Sequence, residues 1–334
     1  MTPTIAVAGL GTTGGHVVRH LVDELSPPLA LRLHDTDADA EDRARKQVGD
    51  RAPVEVGRIP GGETADVTIL ATPCGDHAAV ASRLLGAGGH VVSISDSPDD
   101  IDALLELDDL AREAGRSLVV GAGMAPGLGC LLARHAGNQL DTVDSINIAK
   151  AGTAGPACAR QHHRALKLPG RDWVGSGWEL RAGGSGRDLA WFPEPIGARD
   201  CYRGALGSPI LLHRRYPEAK RLSARMSATR RDRLTARLPM LRKPHQDGGP
   251  GAVRAEVRGW RNGRVETIVY AVTAFPSVVA AAVAVVVALR LAAGHGPVGA
   301  SGLSEWDDAN LILTELHRRG VPISTFSGIV GDPS

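Results

Sequence analysis

The chain has 334 residues, of which 43% are hydrophobic and 22% are charged, and its basic residues outnumber its acidic residues by one. This composition is typical of a globular protein and excludes a largely disordered chain, and the length suits two domains. The balanced charge does not favour a nucleic-acid partner. The four cysteines form no CxxC pair, so neither a disulfide framework nor a structural zinc site is expected. The N-terminus lacks a secretory-signal pattern, and we expect a cytoplasmic protein.

The first 130 residues alternate between apolar strands and helices. Continuous apolar strands separated by helices indicate a parallel sheet covered on both faces. The sequence therefore predicts a doubly wound α/β domain of Rossmann type over residues 1–128. The predicted strands are 4–11, 29–35, 66–73, 90–95 and 117–122, and the predicted helices are 14–25, 77–87 and 99–114.

The pattern changes after about Leu140, where Gly, Arg, Pro and Trp become frequent and the segments shorten. Residues 251–274 form two alternating strands around Asn262-Gly263, which is a strong signal for a two-residue hairpin turn. Residues 177–191 are typical of a loop or a hairpin. We therefore expect a second, α+β domain with a mainly antiparallel sheet.

An uncharged run from Ile268 to Leu289 is long enough to span a membrane. Its many alanines, the division at Pro276 and the lack of flanking tryptophans argue against a membrane span. The sequence instead predicts a strand over 266–273, a break near Pro276 and a buried helix, and no membrane partner.

The motif GLGTTG at residues 9–14 follows the first strand and opens the first helix. In this context GxGxxG indicates a dinucleotide-binding loop. Gly9 allows the tight turn, Gly11 lets the backbone approach a pyrophosphate, and Gly14 lets the helix pack on the strand. Amide groups at the helix start then bind the phosphates. The predicted phosphate-binding residues are Gly9, Gly11, Thr12, Thr13 and Gly14.

Asp35 lies 21 residues after Gly14, at the end of the second strand. A carboxylate there accepts hydrogen bonds from the adenine ribose and repels a 2′-phosphate. We therefore predict NAD as the cofactor, with NADP as a possible alternative. The acidic run that begins at Asp35 is not an EF-hand calcium loop, because Ala40 and Lys46 replace the required glycine and glutamate. No metal site is predicted.

A second glycine-rich turn, GAGMAPGL, covers residues 121–128. It cannot be another phosphate loop, because Pro126 lacks the backbone donor that such a loop uses. Proline instead fits the first turn of a helix. The sequence predicts a tight strand-to-helix turn at the carboxyl edge of the sheet, where ligands of open α/β sheets bind.

Three features together resemble the saccharopine dehydrogenase-like reductases. They are the early GxGxxG, the "ATP" turn at 71–73, and the G-A-G-(hydrophobic)-x-P-G-L turn after a helix that ends in A-x-x-A-G. The resemblance is good over residues 4–135 and general beyond them. The chain departs from the family at Ser93, where an aspartate is frequent, and at Gly129 and Cys130, where a polar residue is frequent.

The resemblance implies a Rossmann domain joined to a substrate-binding and dimerisation domain at 129–295, with the segment 296–334 returning to the first domain. It also implies a homodimer and an amino-acid-like substrate. The residues expected near the nicotinamide are Thr72, Pro73, Gly123, Pro126 and Gly127, with Gly127 also contacting substrate.

Residues 157–173 contain the densest group of candidate catalytic side chains. His162 and His163 titrate near neutrality and could transfer a proton, and Arg160 and Arg164 could bind a carboxylate. A solvated surface helix is the alternative interpretation, since adjacent histidines point in different directions. Further candidates are Tyr202 for catalysis, Asp96 for substrate binding, and His77.

The sequence thus predicts an NAD(P)-dependent oxidoreductase that transfers hydride at a C–N bond of an amino-acid-derived substrate. The alternatives are a carbonyl or activated-alkene reductase and a non-catalytic NAD-binding sensor or scaffold. Residues 213–243 carry eleven Lys or Arg against two acidic residues. We interpret them as a solvated helical face in preference to an anion-binding site.

Overall fold

Two β-sheets organise the chain in this computed structural model, which describes residues 2–23, 29–56, 65–240 and 243–326. Within these residues the first sheet has seven parallel strands. They are β1 (Thr4–Ala8), β2 (Ala30–His34), β3 (Val54–Val56), β4 (Val67–Leu70), β5 (His90–Ser93), β6 (Ser117–Val119) and β15 (Gly299–Ser301). The spatial order is β15-β6-β5-β4-β1-β2-β3, so the order reverses between β1 and β4. In open α/β sheets ligands bind beside such a reversal, which here lies at the carboxyl ends of β1 and β4.

Helices connect the parallel strands, as the apolar periodicity predicts. They are α1 (Thr12–Asp23), α2 (Ala38–Val48), α3 (His77–Gly86), α4 (Pro98–Leu105) and α5 (Asp108–Glu113). The single helix predicted at 99–114 is wrong, since the chain breaks between α4 and α5. The carboxylate of Asp108 accepts a hydrogen bond from Ala300 N at 2.7 Å, and this tertiary contact fixes a new helix start. The strands β3 and β15 were not predicted.

The second sheet contains nine strands in the described part of the chain. They are β7 (Thr142–Ala151), β8 (Gly170–Val174), β9 (Gly177–Arg181), β10 (Asp188–Trp191), β11 (Ala198–Tyr202), β12 (Arg221–Ser227), β13 (Gly251–Arg261), β14 (Arg264–Ala274) and β16 (Ile323–Phe326). All of its pairings are antiparallel except that between β12 and β7. The mainly antiparallel second sheet is therefore confirmed.

Turn chemistry explains the hairpin between β13 and β14. Asn262 and Gly263 both have positive φ angles, 51° and 75°, as a two-residue type I′ turn requires. Residues 177–191 do not form a hairpin of their own, because β9 pairs with β8 whereas β10 pairs with β11.

The remaining helices pack around both sheets. They are α6 (Gly129–Gly137), α7 (Pro156–Lys167), α8 (Ser208–Arg215), α9 (Arg230–Thr235), α10 (Pro276–Ala292) and α11 (Ala309–Arg318). The break predicted at Pro276 is confirmed: β14 ends at Ala274, and the buried α10 packs against α1, β4 and β5. No helix in the described residues is long and apolar enough to cross a membrane.

The C-terminal segment contacts both sheets. β15 extends the first sheet beside β6, as the predicted return to the first domain requires, whereas β16 pairs with β14 in the second sheet. Between them α11 packs on α6 and α10. Residues 327–334 of the predicted segment lie outside the described residues.

Two leucines of α11 test this packing. Leu316 is fully buried and Leu311 is 57% exposed. We expect Leu316→Ala to lower the free energy of unfolding by about 2–5 kcal/mol, because it removes core contacts and leaves a cavity. Leu311→Ala should change it by no more than about 0.5 kcal/mol. Urea unfolding of both variants measures the difference, and equal effects would contradict the placement of α11.

Candidate cofactor and active site

The GLGTTG loop joins β1 to α1 at the point where the strand order reverses. Gly9 has φ +90°, and a Cβ on it would lie 2.7 Å from the carbonyl carbon of Ala71. A Cβ on Gly14 would overlap the carbonyl oxygen of Gly9, whereas one on Gly11 would have no atom within 4 Å. Gly9 and Gly14 therefore close the loop on itself, and Gly11 leaves open space beside the helix start. This geometry fits the pyrophosphate of a dinucleotide.

Asp35 is held against the glycine loop by backbone donors. Its carboxylate accepts hydrogen bonds from Leu10 N at 2.6 Å and from Asp37 N at 3.0 Å. Glu41 lies close by, since its carboxylate accepts from Asp35 N at 2.9 Å. The nearby cation Arg43 lies 3.8 Å from Asp37. Three carboxylates at this point disfavour a 2′-phosphate and favour the ribose of NAD.

A buried hydrogen-bond network fixes the turns that follow β4 and β5. His77 is 1% exposed, and its ring nitrogens bond Ser93 Oγ at 2.9 Å and the carbonyl oxygen of Thr72 at 3.1 Å. Nε2 is also 3.1 Å from Thr72 Oγ1, so the ring bridges Thr72 and Ser93. His77 is therefore a structural residue that orients the exposed Thr72–Pro73 turn.

Asp100 extends this network between the same two turns. Its buried carboxylate accepts from Gly75 N at 3.0 Å and from Ser95 Oγ at 2.6 Å. The two turns at the carboxyl edge of the sheet are therefore joined by charge-assisted hydrogen bonds as well as by packing.

The second glycine turn differs from its prediction in one respect. Pro126 does not lie in the first turn of α6, which begins at Gly129, but in the preceding turn Met124–Leu128. Ala125 is extended, with φ −145° and ψ 112°, as a residue before proline prefers. Gly121 has φ +71°, and the Pro126 ring packs against it.

Burial limits what this turn presents to a ligand. The residues Gly123, Pro126 and Gly127 are buried, and Gly127 packs on the carbonyl of Gly121. Ala125 is half-buried and lines a crevice together with Lys150.

The second domain contacts the cofactor loop directly. Thr12 Oγ1 donates to the carbonyl oxygen of Gln246 at 2.7 Å, and Gly155, which precedes α7, packs on Thr12. Farther along α7, Gln161 Oε1 accepts a hydrogen bond of 3.2 Å from Sγ of Cys74, which lies in the turn after β4. Helix α7 therefore borders the glycine loop and the carboxyl edge of the parallel sheet.

A cluster of titratable side chains lies where β7, α7 and the turn after β5 meet. Lys150 Nζ is 2.8 Å from Asp96 Oδ2, and its side chain is 11% exposed. Burial lowers the pKa of Lys150, but the charge and hydrogen bond of Asp96, together with Cys158, outweigh burial, and the pKa of Lys150 is raised. The pKa of the Cys158 thiol is also raised, by burial and then by Asp96.

His162, the first candidate for proton transfer, belongs to this cluster. Its Nε2 donates to the carbonyl oxygen of Ser227 at 3.3 Å, and its buried Nδ1 has no partner among the described residues. Burial, together with the charge of Lys150, lowers the pKa of His162 to about 4. The imidazole is therefore neutral at neutral pH.

The other residues predicted for catalysis or substrate binding lie in different surroundings. His163 Nε2 donates to the carbonyl oxygen of Leu238 at 2.8 Å. Arg160 and Arg164 are exposed on α7, and Arg164 is close enough to Cys74 for its charge to act on the pKa of that thiol. Tyr202 is buried on β11, with the Arg233 guanidinium 4.2 Å from its ring centroid.

Lys150 was missed by the sequence analysis. It lies on the same face of β7 as Ile146 and Ile148, because strand side chains alternate between faces. A single lysine in the buried register of an alternating strand is the signal that could have found it.

Partners within the chain hold several cations of the basic stretch 213–243. Arg225 makes two hydrogen bonds of 3.1 Å to the buried Asp172. Lys220 pairs with Asp144 at 2.8 Å. The predicted solvated helical face is wrong for this part of the stretch, because Arg221–Ser227 form β12 and Arg225 is buried. The two ion pairs account for these cations without an anionic ligand.

Comparison with known proteins gives similarity in structure alone. No protein-family model matches the sequence, and no curated protein matches it. The fold is similar to that of apo saccharopine dehydrogenase (L-Glu forming) from Saccharomyces cerevisiae, with a TM-score of 0.70 and 15% identity over 97% of this chain and 100% of that chain.

Two further solved structures share the fold more distantly. C. glutamicum DAP dehydrogenase in complex with DAP has a TM-score of 0.52 and 16% identity, over 96% of this chain and 100% of that chain. Apo scyllo-inositol dehydrogenase from Lactobacillus casei has a TM-score of 0.51 and 12% identity, over 97% of this chain and 98% of that chain. The chain therefore has a saccharopine dehydrogenase-like fold, and the predicted fold class is confirmed.

Gly14 and its neighbour Gly15 form a matched pair for testing the cofactor loop. A Cβ on Gly15 would have no atom within 4 Å, in contrast to the overlap at Gly14. We expect Gly14→Ala to displace the loop and weaken NADH binding at least tenfold. Gly15→Ala should bind NADH normally and be up to about 1 kcal/mol more stable. Calorimetric titration with NADH measures binding, and equal affinities of the two variants would contradict the loop assignment.

Proposed function

We propose that the protein is an NAD-dependent oxidoreductase, with NADP as a possible alternative cofactor, that transfers hydride at a C–N bond of an amino-acid-derived substrate. The glycine loop carries this proposal. It closes on itself at Gly9 and Gly14, opens at Gly11, and lies at the reversal of strand order in the parallel sheet. The three similar structures are all dehydrogenases, which supports the same class of activity.

Bound NAD would supply or accept the hydride. In this proposal the start of α1 binds the pyrophosphate with the backbone of Thr12 and Thr13, and Asp35 accepts hydrogen bonds from the adenine ribose. The turn at Thr72 and Pro73, together with the second glycine turn at Gly123 and Pro126, borders the nicotinamide. The network around His77 and Asp100 holds the first of these turns in place.

An amino-acid substrate suits the charges beside this edge. Arg160 and Arg164 present exposed guanidinium groups on α7, which bind carboxylates well. Asp96, Lys150 and His162 provide groups that can hold a proton during C–N chemistry. Saccharopine and DAP, the names in two of the similar structures, support amino-acid substrates.

Reduction of a carbonyl is the alternative. The scyllo-inositol dehydrogenase structure has the same fold, and a cluster that transfers a proton also serves an alcohol. A non-catalytic NAD-binding scaffold remains the other alternative. We also propose a homodimer, supported by the exposed Leu180, Leu189 and Trp191 of the second domain.

Cofactor choice is tested with Asp35→Ala. We expect the wild type to bind NADH more tightly than NADPH, because Asp35, Asp37 and Glu41 repel a 2′-phosphate. The variant should bind NADH about tenfold more weakly and lose much of its discrimination against NADPH. Calorimetry with both cofactors measures this. Preference of the wild type for NADPH would overturn the NAD assignment, and binding of neither cofactor would overturn the proposed function.

Substrate class is tested by NADH formation with three probes, saccharopine, diaminopimelate and scyllo-inositol. We expect oxidation of at least one of the two amino acids and none of scyllo-inositol. Oxidation of scyllo-inositol alone would favour the alcohol–carbonyl alternative. Binding of NADH without turnover of any probe would favour the scaffold alternative.

A further inference from the structure

Lys150 is unusual in a chain that relies on arginine for its positive charge. The sequence contains 33 arginines and only 5 lysines. The side chain of Lys150 is 11% exposed, whereas the other four lysines are exposed: Lys46, Lys167, Lys220 and Lys243. The chain therefore places a lysine at an enclosed position while it uses arginine for most other cations, including the buried Arg225.

Three segments fix the position of Lys150. β7 ends one residue later, at Ala151, and points the side chain to the face that also carries Ile146 and Ile148. Asp96, in the turn after β5, lies 2.8 Å from Nζ. Ala125, in the turn after β6, lines the same crevice as Lys150. Nζ thus lies at the carboxyl edge of the parallel sheet, beside the turn proposed to border the nicotinamide.

Chemistry distinguishes lysine from arginine at such a place. A guanidinium keeps its proton at any pH at which a protein functions, whereas an amine can release and regain one. An enclosed cation needed only for charge or for an ion pair could be arginine, as the pair of Arg225 with Asp172 shows. Of these two cations, only lysine can serve where a proton must move.

We propose that Lys150 is the acid–base group of the reaction and that Asp96 is its positioning residue; this rests on the proposed function. In amine oxidation, Nζ acts in its neutral form, which alkaline pH and the positive charge of the oxidised nicotinamide favour, and it accepts a proton from the substrate ammonium. The lone pair regained by the substrate nitrogen forms the C=N bond as hydride leaves carbon for NAD. In the reverse direction hydride adds to carbon, and Lys150 returns its proton to the amine nitrogen.

The groups around Lys150 give the pH dependence its sign. Asp96 and, if ionised, Cys158 favour the protonated form of Lys150, whereas burial opposes it. His162 is neutral above its low pKa, and Arg225, which lines the same crevice, keeps its charge. Asp96→Asn removes the attraction and leaves the burial, so it should lower the pKa of Lys150. Reduction requires protonated Lys150. The rate of reduction should therefore begin to fall at a lower pH in Asp96→Asn than in the wild type.

The first test is independent of any substrate. Protein labelled with [13Cε]lysine gives five lysine signals, and Lys150→Met identifies that of Lys150. We expect the pKa of Lys150 to be lower in the NAD complex than in the NADH complex, because the oxidised nicotinamide is positively charged. Lys167 and Lys220 serve as internal controls whose pKa values should not change. A pKa of Lys150 that is the same in both complexes would overturn the proposal.

The second test uses whichever probe the wild type oxidises. Lys150→Met should lower kcat at least 100-fold and leave the Kd for NADH within about threefold, as expected for loss of a general acid–base group. Lys167→Met, at an exposed position on α7, should retain wild-type kcat. The alkaline limb of the reductive pH profile should move with the pKa of Lys150 in Asp96→Asn. A Lys150→Met variant that retains a third of kcat would overturn the assignment.

The two proposals fail in different ways. If the wild type binds neither NADH nor NAD, the proposed function is overturned and this role of Lys150 with it. If the cofactors bind but Lys150 does not respond to their oxidation state, only the assignment of Lys150 is overturned. If the wild type turns over a probe and Lys150→Met does so at the same rate, the assignment of Lys150 alone is again overturned.

Discussion

The close approach of α1 to the end of β1 is the constraint on which the rest of the site depends. A Cβ at Gly14 would overlap Gly9 O, and one at Gly9 would press on the backbone of Ala71. The helix start can therefore reach the carboxyl edge of the sheet only because both positions lack a side chain. Once it is there, Asp35 binds the loop through Leu10 N, and open space remains beside Gly11 at the helix start. Any larger residue at either position would displace the loop from the backbone that it contacts.

Polar contacts, in addition to the apolar packing of α10 on α1, join the second domain to this edge. Thr12 contacts Gln246, Cys74 contacts Gln161, and Asp96 contacts Lys150. Each contact joins a loop at the carboxyl edge of the parallel sheet to the second domain. The arrangement brings the ends of β1, β4 and β5 together with side chains of β7 and α7. Polar and titratable side chains of both domains therefore meet at this edge, although each domain has its own sheet.

Much of the fold, but less of the site, was predictable from sequence. The period of apolar residues located most of the parallel strands, the pair Asn262-Gly263 located the hairpin, and Pro276 located the division between β14 and α10. These signals are local, so short windows contain them. The break between α4 and α5 depends instead on Asp108 meeting Ala300, 192 residues away, and no local pattern reveals such a contact.

The same reasoning applies to the residues of the site. The glycine loop is a contiguous motif, and its geometry agrees with the sequence prediction. The helix with His162 and His163 was found from its density of polar side chains, but their separate surroundings depend on Ser227 and Leu238 in other segments. Lys150 was missed because its partner, Asp96, comes from the other domain. Pairing across domains is the information that a single sequence contains least directly.

Electrostatics explains why Lys150 is charged in this cluster while the neighbouring His162 is neutral. Placing a charge in an enclosed site is unfavourable unless an opposite charge compensates for it, and Asp96 supplies one negative charge near the carboxyl edge. Lys150 takes that partner at 2.8 Å. For His162, burial and the charge of Lys150 outweigh the attraction of Asp96, and its pKa falls to about 4. The positive charge of the cluster at neutral pH therefore resides on Lys150, the residue on the strand, while the imidazole on α7 stays neutral.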